Sequence, residues 1–350
     1  LDTVIVTGGA GFIGSALVRA LLARPDTRVV CVDLLTYAGN LDNLRDIAEH
    51  PRFTFVHGDI GDRATVARFL DAHAPRAVLH LAAETHVDRS IDGPELFAAN
   101  NVLGTVRLLD ETLFWWRSLP AAAQASFRFV NVSTDEVFGT LGPGGHFHEG
   151  SPYAPRSPYA ASKAAADHFA RAFHHTYGLP VVTTHCSNNY GPRQFPEKLV
   201  PLWLLNAIAG APLPVYGDGQ HVRDWLHVDD HATGLLAALD RGVPGATYTF
   251  GGGEERTNLA MAAEICAAVA AELGAQRDVA SLVQHVPDRP GHDRRYAIDD
   301  TRTRTALGWA PRIPLTSGLR ETVRWYLANP AWVERVRSGG YRGERLGLGR

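Results

Sequence analysis

Thr7-Gly8-Gly9-Ala10-Gly11-Phe12-Ile13-Gly14 is the stretch whose reading decides the fold. It follows an apolar run, Thr3 to Val6, that reads as a strand, and it opens a helix predicted from Phe12 to Ala23. Glycines at 8, 11 and 14 permit a tight turn, close approach to a pyrophosphate and close helix packing. The helix N-terminus, at Phe12 and Ile13, then offers amide hydrogens and a partial positive charge to phosphates. The spacing is Gly-x-x-Gly-x-x-Gly rather than Gly-x-Gly-x-x-Gly, so its weight comes from the strand-turn-helix context. Asp33 ends the next strand, Arg28 to Val32, at about the 20-residue distance expected of a ribose-binding carboxylate. Leu34 and Leu35 follow it, with no adjacent arginine for a 2′-phosphate, which favours NAD over NADP. The plainer reading of Asp33 is a turn residue at a strand end.

Outward from this loop the chain alternates. Phe53 to Val56, Ala77 to Leu81, Phe127 to Val132 and Val181 to Thr184 read as strands. Residues 63 to 72, the long segment Pro94 to Trp116, and Ser157 to Tyr177 with Gly178 as its stop read as helices. Such repetition predicts an α/β fold, a Rossmann-like doubly wound parallel sheet covered by helices on both faces. Asp59 and Ile60 after the third strand, and Ala82 and Ala83 after the fourth, fall where a dinucleotide would lie.

Past Asn188 the rhythm changes, with proline and glycine frequent from Tyr190 to Gly219. Helices are expected at about Glu197 to Ala209, Asp229 to Leu239, 257 to 273 and 316 to 328. A short strand is expected at His221 to His227, and Thr247 to Phe250 reads as a strand returning to the sheet. Two interleaved lobes follow: a NAD-binding domain of residues 1–187 plus about 227–250, and a smaller substrate domain of 188–226 and 251–350. The glycine-rich stretch Gly139 to Gly145 reads as a surface turn rather than a flap.

The 350 residues can bury a large core. A net charge of −3 leaves no basic footprint for nucleic acid. No apolar run reaches the length of a membrane span, and the immediate entry into a strand leaves no room for a signal peptide. Cys31, Cys186 and Cys266 lack metal-like spacing and read as buried free thiols in the cytoplasm. No metal is expected.

Two features carry chemistry. The strand Phe127 to Val132 runs into Ser133-Thr134-Asp135-Glu136, and adjacent carboxylates at the end of a core strand are expensive to bury. Alternation along an extended chain would turn them in different directions, one toward a leaving hydroxyl and one toward a carbon-bound proton. The plainer reading is a loop with solvated acids, or a helix N-cap at Thr134. Tyr159 and Lys163, four residues apart, share a helix face. An ammonium beside the phenol would lower its pKa and ready it to take a proton from a sugar hydroxyl as hydride leaves the same carbon.

With these residues in place the chain resembles the extended short-chain dehydrogenase/reductases, and among them the dTDP-glucose 4,6-dehydratases. The resemblance runs over nearly the whole chain, through TGGAGFIG, VDLLTYAGNLDNL, AAETHVDRSIDGP, VSTDEVFG, RSPYAASKAAADH, CSNNYGPRQFPEKLVP, YGDGQHVRDWLHVDD and PDRPGHDRRYAID. It implies bound NAD, with Thr36 among its contacts, and dTDP-glucose as substrate. It implies C4 oxidation with Tyr159 as base, Lys163 at the nicotinamide ribose and Thr134 on the C4 oxygen. Glu136 would then take the C5 proton and Asp135 protonate the departing C6 hydroxyl. His86 would lie near the sugar. Asn188, Lys198 and Leu199 would contact the nucleotide sugar, and Arg223, Asn258, Arg289 and His292 its diphosphate and nucleoside end. A homodimer built on the helices at 94 to 116 and 157 to 177 is also implied, with Trp115 and Trp116 as candidate contacts. Asn100, Phe138 and Glu254 depart from the family's usual residues.

Alternatives stay open at this point. A 4,6-dehydratase of another nucleotide sugar would share every feature. An epimerase would not need the adjacent acids. A NAD-sensing scaffold on the same fold would be expected to lose Tyr159 or Lys163.

Overall fold

The computed structural model describes residues 1–274 and 278–338. Its strands are β1 (Asp2–Thr7), β2 (Thr27–Asp33), β3 (Phe53–His57), β4 (Ala77–His80), β5 (Arg128–Thr134), β6 (Val181–Cys186), β7 (Asn188–Tyr190), β8 (Leu213–Tyr216), β9 (Val222–His227), β10 (Thr247–Phe250), β11 (Glu255–Thr257) and β12 (Val283–Val286). Seven of these form one sheet in the order β10-β6-β5-β4-β1-β2-β3, with every neighbouring pair parallel. Val4, Ile5 and Val6 are wholly buried, as continuous apolar strands between two helical layers require. The chain moves outward through β2 and β3, then crosses back to β4. The reversal beside β1 creates the crevice where ligands of such sheets bind.

One face of the sheet is covered by the helices Phe12–Leu22 and Val228–Arg241, and the other by Arg63–His73, Thr105–Ser118 and Pro158–Tyr177. The last is bounded by local chemistry: the Ser157 hydroxyl caps the Ala160 amide at 3.1 Å, Pro158 fits the first turn, and Gly178 closes it with φ at 77°. The segment expected as one helix from Pro94 to Trp116 departs from that expectation. It is α-helical over Pro94–Phe97, π-helical over Ala98–Gly104 and α-helical again over Thr105–Ser118.

A second core surrounds Trp203, Met261, Leu319, Tyr326 and Trp332. It is built from the helices Leu199–Ala209, Asn258–Leu273 and Leu315–Ala328 beside two small sheets, β11-β9-β7 and β12-β8. β10 does return to the main sheet, alongside β6. The expected division of the lobes needs one change. Leu307 and Trp309 sit in the core beneath the main sheet, where Trp309 packs on Phe250 and donates to the Asp230 carbonyl. The stretch around the helix Thr301–Leu307 thus packs with the sheet-bearing lobe. The short elements β7, β8, β11 and β12 have too few residues to show a period in sequence.

Candidate active site

A cavity of about 400 Å³ runs along the carboxyl ends of β1 to β6, within the size range of small-molecule sites. At its first end lies the glycine loop. Gly8 has φ at +71°, and a Cβ there would stand 2.6 Å from the Ala82 amide nitrogen. A Cβ on Gly14 would stand 2.1 Å from the Gly8 carbonyl oxygen, so this helix meets the turn only through glycine. Gly11 is the N-cap and offers no side-chain cap, which leaves the first-turn amides of the helix Phe12–Leu22 facing the cavity. Phosphate oxygens are the partners such a cradle suits.

Asp33, at the end of β2, is 8% exposed. One oxygen accepts from the Ala10 amide at 2.9 Å and the other from the Leu35 amide at 2.8 Å. Each keeps a lone pair for a hydroxyl donor. Burial pushes its pKa up, against the pull of the two amides. Thr36, Asp59, Ile60, Ala82 and Ala83 complete this half of the lining. These residues fit a dinucleotide.

The other half holds the acids. Thr134 ends β5, and its hydroxyl caps a short 3-10 turn, Asp135–Phe138, by accepting from the Glu136 amide at 3.3 Å. The expectation of an extended chain through Asp135 and Glu136 is therefore corrected. The turn, not strand alternation, separates the two carboxyls, because a threonine at a strand end favours a cap. Both acids and Thr134 still line the cavity. Asp135 is 1% exposed, and one of its oxygens has no partner. Burial, then Glu136 and Asp224, hold it well above the usual carboxylate range. Glu136 opens onto the cavity and is raised chiefly by burial and also by Asp293, with Arg289, Lys198 and Arg223 pulling the other way. Two adjacent acids thus sit in unlike fields, which is the condition for one to give and one to take a proton.

Tyr159 and Lys163 also line the cavity, from the helix Pro158–Tyr177. The expectation that Lys163 lowers the Tyr159 pKa does not describe this structure. The Lys163 ammonium donates instead to the Val132 carbonyl at 2.8 Å. Burial first, then Glu136, Cys186 and Asp135, raise the phenol well above its ordinary value, and contact with the Thr134 hydroxyl works against them. Both groups are desolvated and lie close to acidic side chains, a condition that spacing on a helix cannot reveal.

Asn188 and Lys198 line the cavity, and Lys198 donates to the Thr85 carbonyl at 2.9 Å. Arg223, Arg289, His86 and His292 lie just beyond. Arg289 pairs with Asp88 at 3.1 Å, and Arg223 donates to the Asp293 carbonyl at 2.9 Å while its guanidinium covers the Tyr296 ring. Arg289 and Lys198 both act on Glu136 and on His86, so the basic groups converge on one place. His292 stacks on His221 at 3.7 Å, and both contact Asp288. Asn258 is buried, and its backbone N–H donates to the His221 carbonyl at 2.9 Å. Leu199 packs against the second core and does not line the cavity.

Sequence reasoning missed Glu84 and Asn101. Glu84 lines the cavity, with its pKa raised by burial. Asn101, in the π-helical stretch, clamps its backbone through bonds of 2.8 and 2.9 Å and also donates to Ser162. The adjacency of Glu84 to Ala82-Ala83 was the available signal. Of the family departures, Asn100 lines the cavity, whereas Phe138 packs in an aromatic cluster with Phe147 and Tyr153, and Glu254 pairs with Arg256. Trp115 is buried and packs on Phe127, and Trp116 is half-buried and donates to the Gln124 carbonyl.

Residues 5–322 match the family described as GDP-mannose 4,6 dehydratase. A dTDP-glucose 4,6-dehydratase of Xanthomonas campestris is 54% identical over 351 aligned residues, which cover 99% of each chain. The crystal structure of DesIV, a dTDP-glucose 4,6-dehydratase from Streptomyces venezuelae with NAD and TYD bound, is similar at a TM-score of 0.87 and 46% identity, over 95% of this chain and 99% of that one. A UDP-glucose 4-epimerase from Thermotoga maritima is similar at a TM-score of 0.83 but 28% identity, over 94% and 99% of the chains.

Proposed function

The chain belongs to the GDP-mannose 4,6-dehydratase family, and from that membership we propose that it is a NAD-dependent dTDP-glucose 4,6-dehydratase. It would convert dTDP-D-glucose to dTDP-4-keto-6-deoxy-D-glucose and water. The observation that carries this reading is the Asp135–Glu136 pair, set in unlike fields across one cavity from Tyr159 and Lys163. An epimerase has no elimination to perform and no use for that pair.

NAD, when bound along the glycine loop and Asp33, supplies the hydride acceptor at C4 and the hydride donor at C6. The chain's residues move the protons. Tyr159 would take the proton of the C4 hydroxyl as its phenolate, a form that burial disfavours and that the Thr134 hydroxyl, placed to hold the same oxygen, favours. Lys163 keeps positive charge beside this step. The 4-ketone acidifies the C5 proton, which Glu136 removes, and Asp135 donates its proton to the C6 oxygen. The C5–H and C6–O bonds break, a C5–C6 double bond forms and water leaves. Glu136 returns the proton to C5 as C6 is reduced. The field around Asp135 favours the protonated acid required of it, and the three cations near Glu136 oppose the burial that raises its pKa.

We assign the diphosphate to Arg223 and Arg289, whose guanidinium forks suit paired phosphate oxygens, with Lys198 beside them. Asn258 and His292 are assigned to the nucleoside end, and His86 and Asn188 to the sugar. The sheet-bearing lobe then holds the cofactor and the smaller lobe the sugar nucleotide. A homodimer is inferred from the helices Thr105–Ser118 and Pro158–Tyr177. They pack side by side and leave Phe114 79% and Phe169 41% exposed. A cytoplasmic setting is inferred from three cysteines that stay free and buried.

Incubation with dTDP-glucose, without added cofactor, tests the reading by mass spectrometry. Loss of one water from this sugar nucleotide, and not from UDP-, CDP- or GDP-sugars run beside it, is expected. Isomerised sugar without water loss would overturn the assignment in favour of an epimerase.

A further inference from the structure

Asp167 stands one turn beyond Lys163 on the helix Pro158–Tyr177 and does not line the cavity. Its carboxylate is 1% exposed and gathers donors from three directions. Asn131 and Ser133 of β5 donate at 2.8 and 2.7 Å, His185 of β6 contacts it at 3.0 Å, and the Tyr153 hydroxyl donates at 3.2 Å. Desolvating an ion costs several kcal/mol, and a neutral amide, with one acceptor oxygen where Asp167 uses two, could organise only part of the same neighbourhood. What an amide cannot supply is charge.

The charge has an evident recipient. Lys163 is 4% exposed, and burial drives it toward the neutral amine. Among the described residues its one hydrogen bond goes to the Val132 carbonyl, which carries no net charge. Asp167 on its own helix favours the ammonium, whereas Cys186 on β6, kept as a neutral thiol by burial, adds no charge. His80 on β4 also faces this ammonium and is held neutral by it and by burial. Around Asp167 itself stand His185 and Lys163, which favour its ionised form, and Tyr153, beyond which lies Arg171. Ser133, Lys163 and Cys186 line the cavity, whereas Asp167, Asn131, Tyr153, His185 and His80 do not.

We propose that Asp167 is a positioning residue whose buried negative charge, anchored by Asn131, Ser133, Tyr153 and His185, holds Lys163 as an ammonium beside Tyr159. The proposal rests on the oxidation step assigned above to Tyr159 and Lys163.

The test is the pH dependence of first-turnover cofactor reduction by dTDP-glucose in the NAD-loaded enzyme. Asp167→Asn is expected to move the alkaline limb about one unit to lower pH, tenfold in rate beyond the limb, because removing the negative charge weakens the hold of Lys163 on its proton. KM for the sugar should stay within about threefold, and Asp167→Glu should restore the limb. Lys163→Arg should abolish it, since a guanidinium does not titrate there. Should Asp167→Asn fail to fold, Asp167→Ser carries the same expectation. An unmoved limb in a folded, NAD-loaded Asp167 variant overturns the proposal. So does a rate loss equal at every pH, or a limb that persists in Lys163→Arg. If the wild-type enzyme reduces no cofactor with any nucleotide sugar, the dehydratase reading itself fails.

Discussion

Asp135 and Glu136 are joined by one peptide bond, yet only Glu136 is answered chiefly by cations. Arg289, Lys198 and Arg223 offset its burial, whereas Asp135 meets two further carboxylates, Glu136 and Asp224, with Arg223 in partial compensation. The asymmetry arises from the 3-10 turn capped by Thr134, which points the two side chains into different neighbourhoods.

Glu136→Gln should therefore separate oxidation from elimination. The variant is expected to reduce its bound cofactor with dTDP-glucose, while water loss falls by about 10² to 10⁴, the usual contribution of a general base. Cofactor absorbance and product mass, read on one sample, check this. Full dehydration by the variant would remove Glu136 from its role.

Asp135 also carries a stability signature. The folded state holds its proton more tightly than the unfolded chain does, so the contribution of this group is full below the ordinary value of 3.8 and is lost as pH rises through the raised folded value. Asp135→Asn cannot ionise. Its melting temperature should therefore exceed that of the wild type by a margin that grows with pH, even as turnover collapses. Thermal melts across the pH range decide this, and a constant margin would contradict it.

Gly14→Ala should cost the fold about 1–3 kcal/mol, the usual range for overpacking, because the new methyl group would stand 2.1 Å from the Gly8 carbonyl. It should also cost the protein its co-purifying NAD. Cofactor content after denaturation, together with the melting temperature, tests both. Normal NAD content would mean that the turn yields without disturbing the phosphate cradle.

Phe114→Asp places a charge on the most exposed large aromatic of the helix Thr105–Ser118. Sedimentation should show a shift from dimer toward monomer. An unchanged dimer would place the interface elsewhere.

Much of this site can be read along the chain because its parts are local. The glycine loop, the Ser157 and Gly178 boundaries and the shared face of Tyr159 and Lys163 each depend on residues a turn or two apart. The remainder depends on distant partners. Arg289 meets Asp88 across 201 positions, and Lys163 finds the Val132 carbonyl rather than the phenol. The capped turn at Asp135 was visible as the plainer reading of Thr134. The π-helical stretch had no signal, since a widened turn keeps the apolar pattern of the helix around it.

That stretch, Ala98–Gly104, has a bearing on how this enzyme can change over evolutionary time. A π turn carries a residue more than an α turn, so it sets the rotational phase of one half of a helix independently of the other. Upstream, the phase brings Phe97 against Tyr159 at 6.3 Å, and within the stretch it brings Asn101 onto Glu84. Downstream it decides which side of Thr105–Ser118 faces outward with Phe114. Deleting one residue here would turn the halves by about 100° relative to each other. Insertions and deletions in this segment should therefore be far less tolerated than substitutions, because a single lost residue would misalign the reaction centre and the exposed face together.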